Sequence, residues 1–348
     1  MVNGIFITTA RLSESSGGGK VSIHELNAMR KFCDKVDVIT SDDIRKEVHN
    51  NPFLYDFSVC MKINDKYDLA HFNGHPFSKT LATLKYYNPD IKVVTSVPAH
   101  NLEVSIEEHR LCGVDYAKAY PHMVNPDYFR EYTNQDRKAD VVIYPSKQSM
   151  DYYVNKLSLT NRQVVIPHGT LLPPEPSSPS IPSRVTFGYI GALGPDKGVR
   201  ILLESFAKSP DATLNVYGEG TKEYFTKLGI KNIVGKGGFV KYEDIVNEFD
   251  VGVFPSVTEG FNLSVLELAA YGKPSILGSG VGCQELFKQD ECMAKITPDI
   301  PSLIGAIKYA KSNPSKVVER GLKARKVAER YPWSKIEDMY VDVYRSLF

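Results

Sequence analysis

Asp250-Val251-Gly252-Val253-Phe254-Pro255-Ser256-Val257-Thr258-Glu259-Gly260-Phe261-Asn262-Leu263-Ser264-Val265-Leu266-Glu267-Leu268-Ala269-Ala270-Tyr271-Gly272-Lys273-Pro274 reads as strand, turn, helix, turn. The strand ends at Pro255-Ser256, and the loop Glu259–Asn262 leads into a helix whose first N–H groups have no intrahelical acceptor. Such a helix start, with Gly260, Phe261, Asn262 and Leu263 around it, is a natural seat for a diphosphate. Glu267 follows Glu259 by eight residues and falls about one turn into the helix, so the two carboxylates can grip different parts of one extended ligand. Each carboxylate accepts several hydrogen bonds, which suits the hydroxyls of a sugar.

The same alternation runs outward in both directions, and short apolar runs separated by helical patterns imply parallel sheets covered by helices. In the first half, strands are expected at Gly4–Thr8, Lys35–Ile39, Leu69–Phe72, Lys92–Ser96, Val141–Tyr144 and Val164–Ile166, with helices over Lys20–Phe32 and Lys147–Lys156. The proline-rich run from Leu172 to Pro182 favours an extended connector. Beyond it strands are expected near Val185–Ile190, Thr213–Tyr217, Val251–Phe254 and Ser275–Leu277. The implied organisation is an α/β chain of two Rossmann-like, doubly wound domains, 1–171 and 184–331, joined by 172–183. Ligands of such sheets sit beyond the carboxyl ends of the strands, so an interdomain cleft is the expected active site. The tail from Trp333 to Phe348 is expected to form a helix that packs back on the first domain, with Trp333 as its anchor.

At 348 residues the chain is long enough for two cores. Lys plus Arg number 42 against 41 Asp plus Glu, which leaves no global field to gather nucleic acid or anionic lipid. Five scattered cysteines without C-x-x-C spacing point to reduced thiols and a cytosol-like compartment. The apolar run at Met1–Ile7 is too short for a signal peptide, and no stretch approaches the roughly 20 residues of a membrane span. The sequon Asn262-Leu263-Ser264 carries no chemistry in such a compartment.

Together these motifs resemble the retaining glycosyltransferases of the GT-B fold, especially glycosyltransferase family 4, whose E-x7-E region matches Glu259 and Glu267. Further pieces follow in that family's order: Gly17-Gly18-Gly19, Ala139–Ser146, Val165–Gly169, Gly191–Gly198 and Val216–Gly220. The resemblance spans nearly the whole chain, is strongest from Val185 to Leu286, and is weakest across Asp42–Asp68 and Leu102–Asp136.

The resemblance implies that Glu267 holds the ribose hydroxyls, Glu259 contacts the transferred sugar and Lys197 neutralises the departing diphosphate. It also implies that His100 stands near the anomeric carbon, that Gly191 and Gly218 line the donor, and that Gly238 and Phe239 approach the nucleobase. Gly17, Gly18 and Gly19 would form a backbone-lined loop beside the donor phosphate or the acceptor. The family's arginine after the first glycine is here Ala192, so either Lys197 and the helix start suffice, or Arg200 or another cation compensates, or activity is low. His168 fits a hydrogen-bonded turn as well as a site, and His71 and His75 stand at a strand end within reach of an acceptor. Gly218-Glu219-Gly220 lacks the third glycine of a dinucleotide fingerprint, so no NAD is implied.

The expected function is transfer of a hexose-type sugar from a nucleotide-diphosphate sugar, with retention, to a glycan, lipid-linked or small-molecule hydroxyl. No D-x-D motif is present, which agrees with chemistry that needs no metal, and no cofactor is expected beyond the donor substrate. The expected location is cytoplasmic. Lipid-linked acceptors would bring a peripheral membrane contact, although no strongly basic amphipathic helix supports one. Two rival readings stay open: a catalytically silent nucleotide-sugar binder, which Ala192 favours, and an epimerase acting on a nucleotide sugar alone.

Overall fold

A strand with apolar side chains on both faces is stable only inside a sheet covered by helices, and most strands of this chain have that character. Asn3–Thr8 (β1) is buried from Gly4 onward, as are nearly all of Leu69–Asn73 (β3), Lys92–Ser96 (β4) and Val141–Tyr144 (β5). The structure, a computed structural model, describes residues 1–348 apart from Asn64, His75, 98–100, His122, 175–179 and 239–240 and the side chains of Phe129 and Tyr132. Three expected site residues, His75, His100 and Phe239, thus lie outside the described residues, as does part of the proline-rich connector.

Two units make up the chain. The first comprises Met1–Ala99, Asp115–Pro167 and Ser334–Phe348, and the second His100–Val114 and His168–Trp333. In the first unit, Lys35–Ile39 (β2) and Arg162–Val165 (β6) complete a six-stranded parallel sheet in the order β2-β1-β3-β4-β5-β6. Its core gathers Ile5, Ile7, Phe72, Val93, Val142 and Tyr144. The Gly17–Phe32 helix follows β1, with Ser16 accepting the Gly19 N–H at its start and Arg30 and Lys31 in its last turn, where cations complement the helix dipole.

That helix packs against β1 at Gly4, where a Cβ would stand 2.8 Å from Cys33 Sγ and collide with Met29. Gly4→Val should therefore force Met29 and Cys33 to repack and cost about 1–3 kcal/mol. The urea midpoint of the purified variant measures this, and an unaltered midpoint would show that these side chains move aside freely.

In the second unit, Thr186–Ile190 (β7), Thr213–Tyr217 (β8), Ile233–Gly237 (β9), Val251–Phe254 (β10), Ser275–Gly278 (β11) and Ala294–Ile296 (β12) form another parallel sheet. Its order is β12-β11-β10-β7-β8-β9. Phe187, Leu214, Val253, Leu266 and Ile276 lie in its core. β9 and β12 were not expected from sequence. Both are edge strands: β9 reads Ile-Val-Gly-Lys-Gly with alternating exposure, and β12 is only three residues long. Short, lysine-bearing edges carry little of the apolar signal of a central strand. β6 lies about two residues earlier than expected, also at an edge.

Candidate functional site

The strand order of the second sheet reverses between β7 and β10, and in doubly wound sheets ligands bind beyond the strand ends at that reversal. The loop after β7 carries Gly191, Ala192 and a short 3-10 turn, Pro195–Lys197; the loop after β10 carries Ser256 and Glu259. Lys197 and Glu259, 62 residues apart in sequence, meet there as an ion pair between Nζ and Oε1. Gly198 lets the two loops touch. Its φ of +70° suits glycine, and a Cβ would collide with the Pro255 carbonyl.

Glu259 is the hub of the site. Its second oxygen, Oε2, accepts hydrogen bonds from Ser256 Oγ at 2.9 Å and Asn262 Nδ2 at 2.8 Å. Its carbonyl accepts the Gly282 N–H at 3.1 Å, which fixes the loop against the segment after β11. Asn262 adopts φ 79°, a left-handed conformation that asparagine tolerates better than most residues and that clusters at functional sites. The Leu263–Ala270 helix begins at Asn262 without a side-chain cap, so no capping side chain competes for its first N–H groups.

Glu267 lies on that helix, and the Tyr242 hydroxyl bonds to it and to Ser264. Burial first, and then the negative charge of Glu267, holds the Tyr242 proton well above the usual phenol range. Gly191 and Gly218 close the ends of β7 and β8: the Gly191 N–H donates to the Tyr217 carbonyl at 3.0 Å, and the Gly218 N–H to that of Gly237 at 2.8 Å. Gly238 is exposed just beyond β9. Phe261 turns inward, buried against the His168 ring at 4.8 Å. His168 also stands near Trp333, and burial pushes its pKa down to about 3. The expected turn hydrogen bond is not seen at its Nδ1, which has no partner among the described residues.

Ala192 offers a methyl group where the resemblance has an arginine, and its carbonyl accepts the Tyr189 hydroxyl at 2.6 Å. Arg200 does not stand in for it here. Its guanidinium makes two hydrogen bonds to Glu108, at 3.0 and 3.2 Å. Ser256 and Tyr242 have no role in the expectations from sequence. Ser256 is the one with a signal, since it ends the strand next to the loop it supports.

In the first unit, Gly17, Gly18 and Gly19 form the first turn of a helix rather than a loop, with the Gly19 N–H already taken by Ser16. Gly17 and Gly18 are exposed, whereas Gly19 is buried against the Arg11 and Ser13 carbonyls. His71 is a core residue: its Nε2 and Nδ1 engage Ser96 Oγ at 2.8 Å and the Tyr344 hydroxyl at 2.7 Å. Burial pushes its pKa down to about 3. Beside it, Glu25 accepts from Asn73 Nδ2 at 2.5 Å and the Tyr340 hydroxyl at 2.9 Å. Both tyrosines belong to the last helix, Trp333–Arg345, whose Glu337 also pairs with His24 at 2.7 Å.

Residues 184–313 match the family described as Glycosyl transferases group 1. The O-antigen biosynthesis glycosyltransferase WclY of Escherichia coli is 27% identical over 158 residues, 44% of this chain and 44% of that protein. The chain thus spans less than half the length of the curated relatives it matches. The structure resembles sucrose-phosphate synthase from Thermosynechococcus elongatus with a TM-score of 0.78 at 16% identity, covering 99% of each chain. The fold is GT-B. Anabaena HepE, solved in complex with UDP and glucose, shares it with a TM-score of 0.71 at 17% identity, covering 99% of this chain and 100% of that one. Within this GT-B chain, Lys197, Glu259 and Glu267 all fall inside the family match, whereas Gly17–Gly19 fall outside it. Among the described residues, no group of three or more His, Cys, Asp or Glu side chains is placed to hold a metal ion, and no helix is long and apolar enough to cross a membrane.

Proposed function

We propose that the chain is a glycosyltransferase that moves a hexose-type sugar from a nucleotide-diphosphate sugar to a hydroxyl of a glycan, lipid-linked or small-molecule acceptor. The observation that carries this reading is the Lys197–Glu259 pair, braced by Ser256 and Asn262, at the reversal point of the second sheet and inside the family match. HepE, which shares the fold, was solved with UDP and glucose, and that supports a nucleotide sugar as the ligand.

In this reading the diphosphate lies against the uncapped start of the Leu263–Ala270 helix, where N–H groups and the Lys197 ammonium offset the charge that grows as the bond to the sugar breaks. Glu259, held in one orientation by its three partners, receives sugar hydroxyls. Glu267 receives those of the ribose. In this reading the acceptor hydroxyl attacks from the leaving-group side, configuration is retained, and the leaving oxygen takes the acceptor proton. The protein's part is placement and electrostatics, which needs no metal. Five free cysteines agree with a cytoplasmic setting.

A second reading, a nucleotide-sugar binder without turnover, is favoured by Ala192 and by the engagement of Arg200 with Glu108. A thermal-shift screen over UDP, GDP and ADP sugars, followed by a turnover assay with the best ligand, decides between them. At a hundredfold excess over Kd such a ligand adds about 2.7 kcal/mol of stability. Glu267→Ala should lose most of that shift. If no nucleotide sugar raises the melting temperature of the wild-type protein, the proposal fails; a shift without hydrolysis or transfer supports the silent binder.

A further inference from the structure

The Leu102–Leu111 helix comes from the first half of the sequence yet belongs to the second unit, and it is fastened there along its whole length. At its start the Asn101 backbone N–H donates to Thr258 Oγ1 at 2.7 Å. One turn on, Ser105 Oγ donates to Asp196 Oδ1 at 2.5 Å. At its end Glu108 takes both hydrogen bonds from Arg200, and His109 Nδ1, bonded to the Ser105 carbonyl, stands 3.7 Å from Asp196 Oδ1.

Ser105, Glu108, His109 and Thr258 are all buried. Burying Ser105, Glu108 and His109 on one ten-residue helix is unfavourable unless each group is paired, so plain packing would have used apolar residues. What the helix grips is specific. Asp196 and Thr258 immediately precede Lys197 and Glu259, and the Asp196 carbonyl joins the two loops by accepting the N–H groups of Val257 at 3.0 Å and Thr258 at 3.4 Å.

We propose that the Leu102–Leu111 helix is a positioning strap for the Lys197–Glu259 pair, and that Asp196 is the positioning residue through which it acts. This rests on the roles given to Lys197 and Glu259 above. In this role Asp196 acts through its neighbours Lys197 and Glu259 rather than on the substrate. Its carboxylate stops the Pro195–Lys197 turn from sliding, and its carbonyl carries that constraint to the loop of Glu259. A displacement of about 1 Å at a reacting group can cost a hundredfold in rate, so a strap of this kind sets turnover more than affinity.

The test has two arms. In unliganded protein, amide hydrogen exchange is compared between wild type and the double variant Ser105→Ala, Glu108→Gln, neither of which belongs to the site. Exchange across residues 256–260 should accelerate about tenfold while β8 is unaffected, and Ser105→Thr, which keeps the hydroxyl, should match wild type. Equal exchange in the double variant and wild type overturns the strap, whatever the chemistry of the site. In the second arm, with UDP-glucose as probe, Asp196→Asn should lower kcat about tenfold with KM altered less than about threefold, and should cause no further loss on the Lys197→Met background. Equal losses on both backgrounds overturn the action through Lys197. A wild-type protein that turns over no nucleotide sugar overturns the proposed function instead, leaving the exchange arm to judge the strap.

Discussion

Lys197→Ala is expected to lower turnover of the nucleotide sugar by roughly two to three orders of magnitude, the range seen when one preorganised electrostatic partner of a developing charge is removed. The ammonium stands at the ion pair with Glu259, its side chain 32% exposed against 13% for Glu259, so it can meet a ligand while its partner stays fixed. As the sugar leaves, charge accumulates on the diphosphate, and a cation already in place stabilises that state more than the ground state. KM for the donor should therefore change less than kcat. The fold should survive, since Glu259 keeps Ser256 and Asn262 as partners in the variant. Steady-state kinetics on the best donor, with a urea unfolding curve as control, gives the answer. Turnover within about threefold of wild type would remove Lys197 from the reaction.

Glu25→Gln is expected to change how stability depends on pH. Burial, opposed by hydrogen bonds from Asn73, Ser96 and Tyr340, pushes the Glu25 carboxyl up from 4.5 to about 7. Between these values the folded chain keeps a proton that the unfolded chain has lost. The stabilisation is therefore fully present below about pH 4.5 and fades as pH rises through 7, at up to about 1.4 kcal/mol per pH unit and about 3 kcal/mol in all. His71, in the same cluster, works in the opposite direction: burial holds it neutral down to about pH 3, so folding gains as pH rises from there to the ordinary histidine value of 6.5. In the wild type the two slopes offset one another between about pH 4.5 and 6.5. Glutamine removes the falling one, so the stability of the variant relative to wild type should climb from pH 5 to pH 7.5. Urea midpoints across that range measure it, and a constant difference would mean that Glu25 does not titrate there.

Much of the fold was legible because its central strands are buried on both faces and so must be written in Val, Ile, Leu and Phe. The edge strands β9 and β12 were not, because an edge carries glycine and lysine for reasons of solubility. The candidate site was legible in part. Lys197 and Glu259 each sit in a turn just after a strand, and parallel strands bring such turns to one end of a sheet. What could not be read was the company they keep. Asn101 and Thr258 are 157 residues apart, and Ser105 and Asp196 are 91 apart. A serine, an asparagine and a glutamate on a short helix have no periodicity that points to a partner. The glycine triplet misled in the other direction, since Gly17–Gly19 look like a loop in isolation but form a helical turn that Ser16 caps.

The return of the last helix to the first unit carries a consequence for dissecting the protein. Glu25 and His71 find hydroxyl partners on Tyr340 and Tyr344, and Trp333, packed against Gly169, is where the chain crosses back. The two ends of the polypeptide are thus stitched into one body, with the other spliced between them. No single cut yields two self-sufficient halves: an amino-terminal fragment would be born with a bare carboxyl group and an imidazole where it needs a helix, and recovering it would take co-expression of the final fifteen or so residues in trans.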